Sequence, residues 1–221
     1  MNRKILTVAI MLIMVFSIPI VGKAHEFSPN PVYYGDLSTY STSNPVANVN
    51  YNYNINQLTS NTTYRTLASD AISNWKSAAP RFNAVSTSYS SSKVDFSDSW
   101  PVSFNSSWYG VFDWTLDWTP IYQYTTTWYG PPSSTYVWKV SYGKIIVNST
   151  KMVSDSFSND DIRKTYAHEI GHSLGFDETN DGTQSVMRQG KGSTFGWSDY
   201  WKPSSHDTSD FNSKYRYRLW S

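Results

Sequence analysis

Apolar and polar residues alternate from Val49 to Ile55, where Val49, Tyr51, Tyr53 and Ile55 are separated by Asn50, Asn52 and Asn54. A period of two predicts a strand with one buried face. The period then changes. Tyr64, Leu67, Ala68, Ala71, Ile72 and Trp75 fall at i, i+3, i+4, i+7, i+8 and i+11, a single stripe along a helix. Asn61 or Thr62 can cap its start, and Pro80 stops it. Short β segments are expected around Phe82–Val85 and Val94–Phe96, and a buried strand at Lys144–Val147. Ser158, Asn159 and Asp160 supply capping oxygens and negative charge for a second helix through Ile162, Tyr166, Ile170 and Leu174. His206 is expected in a turn before a C-terminal helix containing Phe211 and Tyr215.

Residues 97–142 carry a weaker pattern. Trp100, Trp108, Trp114, Trp118, Trp128 and Trp138 sit among Tyr, Pro, Gly and Ser with no fixed repeat. Trp108–Trp114 and Tyr136–Ser141 read as edge strands. Aromatics favour strands, so a thin β layer filled by these rings is expected, with a substrate-cleft wall or a cell-wall contact as the alternative. No stretch reads as an interdomain linker, so one domain is expected.

The first residues change the picture. Asn2-Arg3-Lys4 is positive, Ile5 to Val21 carries no charge, and Gly22 and Ala24 offer small residues before a cleavage site. That is the pattern of a secretory signal peptide over residues 1–24. Ser17 and Pro19 shorten the apolar run below a membrane span. The mature protein is therefore expected outside the cell, unattached to membrane, with 25–45 as an extended leader or short pro-segment. The formal net charge is +1, with Lys and Arg scattered, which argues against a nucleic-acid partner. The 221 residues contain no cysteine, which excludes a thiol nucleophile and disulfide stapling and leans towards a bacterial exported protein.

The candidate chemistry lies on the second long helix. His168 and His172 are four residues apart, so both imidazoles leave one face, a turn apart, within reach of one metal ion. Glu169 lies beside the first of them. Hydrolysis at zinc needs three protein ligands, an open position for water, and a nearby carboxylate that takes the water's proton. His-Glu-x-x-His meets those needs in five residues. Gly175 stands where the helix must end, which lets the chain turn back and present Glu178 three residues later.

The segment His168-Glu169-Ile170-Gly171-His172-Ser173-Leu174-Gly175-Phe176-Asp177-Glu178 resembles the extended zinc motif of metzincin metalloproteases, the matrixin-like ones in particular. Ser185-Val186-Met187 resembles their Met-turn. The close match covers residues 165–190, and 47–148 match in element order alone. The resemblance implies an α+β metzincin-like fold, with a small twisted mixed β-sheet, a long backing helix and an active-site helix. It implies one catalytic Zn2+, held by His168, His172 and the residue at the third ligand position. It further implies endopeptidase activity with Glu169 as general base, in a catalytic domain spanning 46–221. Protein or peptide substrates and a monomeric state are expected.

One departure matters. The family has histidine at the third ligand position, and this chain has Glu178, with Asp177 as the competing carboxylate. Sites with two His and one Glu are acceptable to zinc, and a carboxylate leaves the centre about one charge less positive. No Glu follows Glu178, so the layout with a Glu ligand on a later helix has no candidate; His206 is a minor one. No calcium-loop spacing supports a structural Ca2+. The alternative reading is a non-catalytic secreted binding or cell-wall protein that retains the fold. Glu169 argues against it, because metal binding alone does not need that residue.

Overall fold

The computed structural model describes residues 32–34, 49–58, 62–113, 122–126, 135–140, 142–179 and 182–214. Residues 1–24, expected to be a signal peptide, and Asn61, Trp114, Trp118, Trp128, Ser141 and Tyr215 lie outside the described residues. The strands are β1 (Val32–Tyr34), β2 (Val49–Gln57), β3 (Phe82–Ser86), β4 (Val94–Ser97), β5 (Gly110–Asp113), β6 (Tyr122–Thr126), β7 (Thr135–Val140) and β8 (Gly143–Val147). The α-helices are α1 (Thr62–Ala78), α2 (Ser149–Ser154), α3 (Asn159–Ser173) and α4 (Ser205–Lys214). Strands β3, β2, β4 and β8 run parallel in that order, and β5 pairs antiparallel with β8. This five-stranded, mostly parallel mixed sheet with packed helices is compatible with a metzincin-like fold. In a second sheet, of order β1-β7-β6, β1 pairs parallel with β7, and β6 pairs antiparallel with β7.

Helix α1 buries Tyr64, Leu67, Ala68, Ala71, Ile72 and Trp75, the six stripe positions. Its face packs against α3, β2 and β3, while α3 lies against β5 and β8. Trp75 joins the layers. Its ring stacks on Phe176 with centroids 5.7 Å apart, and its Nε1–H donates to the Ala167 carbonyl at 2.8 Å. Burying an aromatic of this size contributes on the order of 2–3 kcal/mol, and the hydrogen bond keeps its polar edge satisfied.

Strand β2 departs from strict alternation. Val49 and Tyr51 are buried as expected, but further along Asn54 is buried and Tyr53 and Ile55 are only partly covered. The register with β4 shifts between Asn54 and Gln57. Asn54 survives burial because its Nδ2–H donates to the Thr87 carbonyl (2.7 Å) and its Oδ1 accepts from Asn56 N–H (2.9 Å). Helix α2, started by Asn148 whose side chain accepts from Lys151 N–H, had no apolar stripe to announce it. The aromatic segment contributes β6 as well as β5 and β7.

Candidate metal centre

Helix α3 begins with a capping box: Ser158 Oγ accepts from Asp161 N–H, and the Asp161 carboxylate accepts from Ser158 N–H. Asp161 also accepts from Ser193 N–H (2.7 Å) and Ser193 Oγ–H, tying the helix start to the turn at Gly192–Thr194. Burial alone would raise the Asp161 pKa, but these donors outweigh it and hold it below the usual carboxylate range.

The far end of α3 shapes the site. Gly175 has φ 75°, the left-handed conformation that glycine adopts without steric cost. Its N–H donates to the His172 carbonyl (2.8 Å), and Phe176 N–H donates to the Gly171 carbonyl (3.0 Å). Those two bonds form a Schellman motif, with Phe176 packed on Trp75. The reversal aims the Phe176 carbonyl at His172 Nδ1 (2.9 Å) and brings Glu178 over the helix face.

There His168 Nε2 and His172 Nε2 lie 3.0 Å apart, and each is 3.2 Å from Glu178 Oε1. His168 Nδ1 faces the Val186 carbonyl at 2.9 Å. A carbonyl can only accept, so in each neutral ring Nδ1 carries the hydrogen and Nε2 presents a lone pair. Two imidazole lone pairs and a carboxylate oxygen thus converge on one point. Glu178 Oε2 is buried without a hydrogen-bond partner. Such convergence of acceptors is repulsive unless a cation or a proton sits among them. Their ligand atoms lie within 4.8 Å of one another, so the three residues could hold a metal ion. Two imidazoles with one carboxylate suit zinc and related transition metals.

Charges around the cluster support that reading. Burial works to raise Glu178, but with no metal in the cluster the charge and hydrogen bonds of imidazoles that carry a proton outweigh it and move the carboxyl far below its ordinary range. Burial works to lower His172, but Glu178 and Glu169 together move it up. A field that favours a proton on His172 also favours a metal cation. Glu169 is 4% exposed, and burial raises its pKa against the opposing pull of both imidazoles.

The residues of the motif are therefore gathered as the sequence suggests. Glu178 meets the histidines, whereas Asp177 is exposed and outside the cluster. His206 is corrected: it sits within α4, not in a preceding turn, and pairs with Asp210 (3.3 Å) away from the cluster. The reason is that Ser204 caps α4, its Oγ accepting from Asp207 N–H, so the helix starts before His206.

No protein-family model matches this chain, and no curated protein matches it in sequence. Among solved structures, the chain is similar to one described as "Structure of Myroilysin", at 12% identity and a TM-score of 0.41, covering 84% of this chain and 91% of that one. A likeness at that level carries no argument about chemistry, which rests on the residues themselves.

Beneath the histidines lies the turn Ser185-Val186-Met187. Met187 is 2% exposed, and a Cβ built at Gly171 would fall 2.1 Å from its Sδ, so a side chain there would displace the methionine. Buried Asp207 holds the turn: it accepts from Ser185 Oγ–H, from Val186 N–H (3.1 Å) and from Ser204 N–H (2.7 Å). Lys164 adds a second tether, its ammonium donating to the Arg188 and Gly190 carbonyls. Burial pushes Lys164 down to about 8, although Glu178, Glu169, Asp207 and Asp161 all pull it up. The sequence pattern marks Ser158 as a cap but does not single out Asp161, Lys164 or Asp207. Two carried a signal, since Ser158-x-x-Asp161 and Ser204-x-x-Asp207 both have the spacing of a capping box. Lys164 also stands one turn before His168 on the same helix row.

Proposed function

We propose that this protein is a secreted zinc endopeptidase of metzincin type, with His168, His172 and Glu178 as metal ligands and Glu169 as general base. The convergence of His168 Nε2, His172 Nε2 and Glu178 Oε1 carries the reading. When bound, zinc would supply Lewis-acid polarisation of a peptide carbonyl and of water. Val186 and Phe176 fix the tautomers of the two rings through their carbonyls, leaving Nε2 free to ligate. Glu169 is buried beside the histidines and has a raised pKa, which suits a group that takes the attacking water's proton and returns it to the leaving amine. The substrate would be a protein or peptide chain.

Glu169→Gln tests the assignment, because it preserves size and hydrogen bonding while removing the base. Zinc content should stay the same, and peptidase turnover should fall by about two or more orders of magnitude. Near-normal turnover in the zinc-loaded variant removes Glu169 from the mechanism. A zinc-loaded wild type without peptidase activity would instead favour the non-catalytic binding protein. Export is part of the same proposal, and N-terminal sequencing of secreted protein should begin at His25; an intact Met1 form in membranes would overturn it.

A further inference from the structure

Strand β5 opens on Gly110, and its backbone is held on both sides of that residue. Gly110 pairs with Val147 across the antiparallel ladder, Asn148 N–H donates to the Tyr109 carbonyl (2.8 Å), and the Asn148 side chain donates to the Trp108 carbonyl (3.2 Å). Glycine weakens a strand, so one at a paired position calls for a reason. The reason is not backbone conformation, since Gly110 has no left-handed φ and any residue could adopt its geometry. The reason is space. A Cβ built on Gly110 would lie 2.7 Å from Glu169 Oε1, 3.0 Å from Glu169 Cγ and 2.9 Å from Thr165 Cγ2.

We infer that Gly110 is a positioning residue for the Glu169 carboxylate, which occupies the room the missing side chain leaves between β5 and α3. The inference rests on the proposed function for its catalytic meaning. A methyl group at 110 meets two side chains of unequal freedom. The strand is pinned by its pairings. Thr165 is held by its hydroxyl, which donates to the Asp161 carbonyl at 3.0 Å and so fixes where Cγ2 points. The Glu169 carboxylate is the end of a flexible side chain, and it moves. The substitution therefore acts on the position of the base, leaving His168, His172 and Glu178 in place. Thr165 and Glu169 stand one turn apart on α3 and form the wall that Gly110 faces, on a different row from Lys164, His168 and His172.

The test compares wild type with Gly110→Ala and with Gly110→Ala/Thr165→Ser. The second variant removes Thr165 Cγ2 but keeps its hydroxyl bond, so it relieves the contact that could prevent folding. Val111→Ala serves as the control, because it thins the same strand without adding an atom beside Glu169. Crystal structures of the metal-free proteins should show the Glu169 carboxylate displaced by about 1 Å or more in both Gly110 variants, and a shift of that size can cost about 10²-fold in rate. Zinc affinity should stay within about threefold, with kcat on a peptide substrate down about 10²-fold and KM changed within a few fold. Val111→Ala should lower the melting temperature and leave kcat near wild type. An unmoved carboxylate in both Gly110 variants, or a kcat within about threefold of wild type, overturns the inference. If wild type has no peptidase activity at all, the proposed function falls, and the crystal comparison alone decides whether Gly110 places Glu169.

Discussion

Removing Glu178 is the sharpest perturbation of the proposed centre. Its Oε1 stands 3.2 Å from both imidazole Nε2 atoms, and its carboxyl lies far below its ordinary range despite burial. Glu178→Ala deletes one of the three proposed ligands and the only carboxylate among them, leaving two imidazoles. Loss of a partner outside the ligand shell typically costs about 10–100-fold in metal affinity. Loss of a ligand should exceed that, at about 10³-fold or roughly 4 kcal/mol. Asp177→Ala should stay within about threefold of wild type, because Asp177 is exposed and outside the cluster. Glu178→His restores a third donor and should recover most of the affinity, with a more positive centre that acidifies water further. Competition titration of zinc against a chelator measures all three. A shift in thermal unfolding between metal-free and zinc-loaded protein provides a second readout, worth about 2.7 kcal/mol when free zinc is 100 times Kd. If Asp177→Ala loses zinc while Glu178→Ala keeps it, the ligand assignment is wrong by one residue.

Two further outcomes follow from the supports beneath the site. Asp207→Asn replaces a buried carboxylate that accepts from Ser185, Val186 and Ser204, and should lower the unfolding free energy by about 2–3 kcal/mol in urea titration; a change below about 0.5 kcal/mol would mean that the carboxylate does not anchor the turn. Lys164 titrates at about 8 when folded and near 10.4 when unfolded, so between those values the unfolded chain binds more protons and stability rises with pH. Relative to Lys164→Met, the wild type should gain up to about 3 kcal/mol from pH 8 to 10.5, and a flat difference across that window would show that the ammonium is not desolvated.

Local patterns settled what local physics controls. The stripe Tyr64 to Trp75 became the buried face of α1 without exception, because a helix repeats every 3.6 residues whatever surrounds it. The same geometry placed His168 and His172 on one face, and a glycine with positive φ ended the helix where Gly175 stands. Tertiary structure decided the rest. Strand β2 broke its alternation at Asn54, because the register shift against β4 and the Thr87 carbonyl, 33 residues away, decide which side chains are covered. The choice of Glu178 over Asp177 depended on the turn through Phe176, whose direction is set by packing on Trp75 of another helix. Asp207 reaches the Met187 turn from α4, and Gly110 faces Glu169 from strand β5. Neither partner is a sequence neighbour, so no periodicity could announce them. The sequence determined which groups the chain carries and how each is displayed along its own element; only the packing of elements against one another decided which of those groups meet.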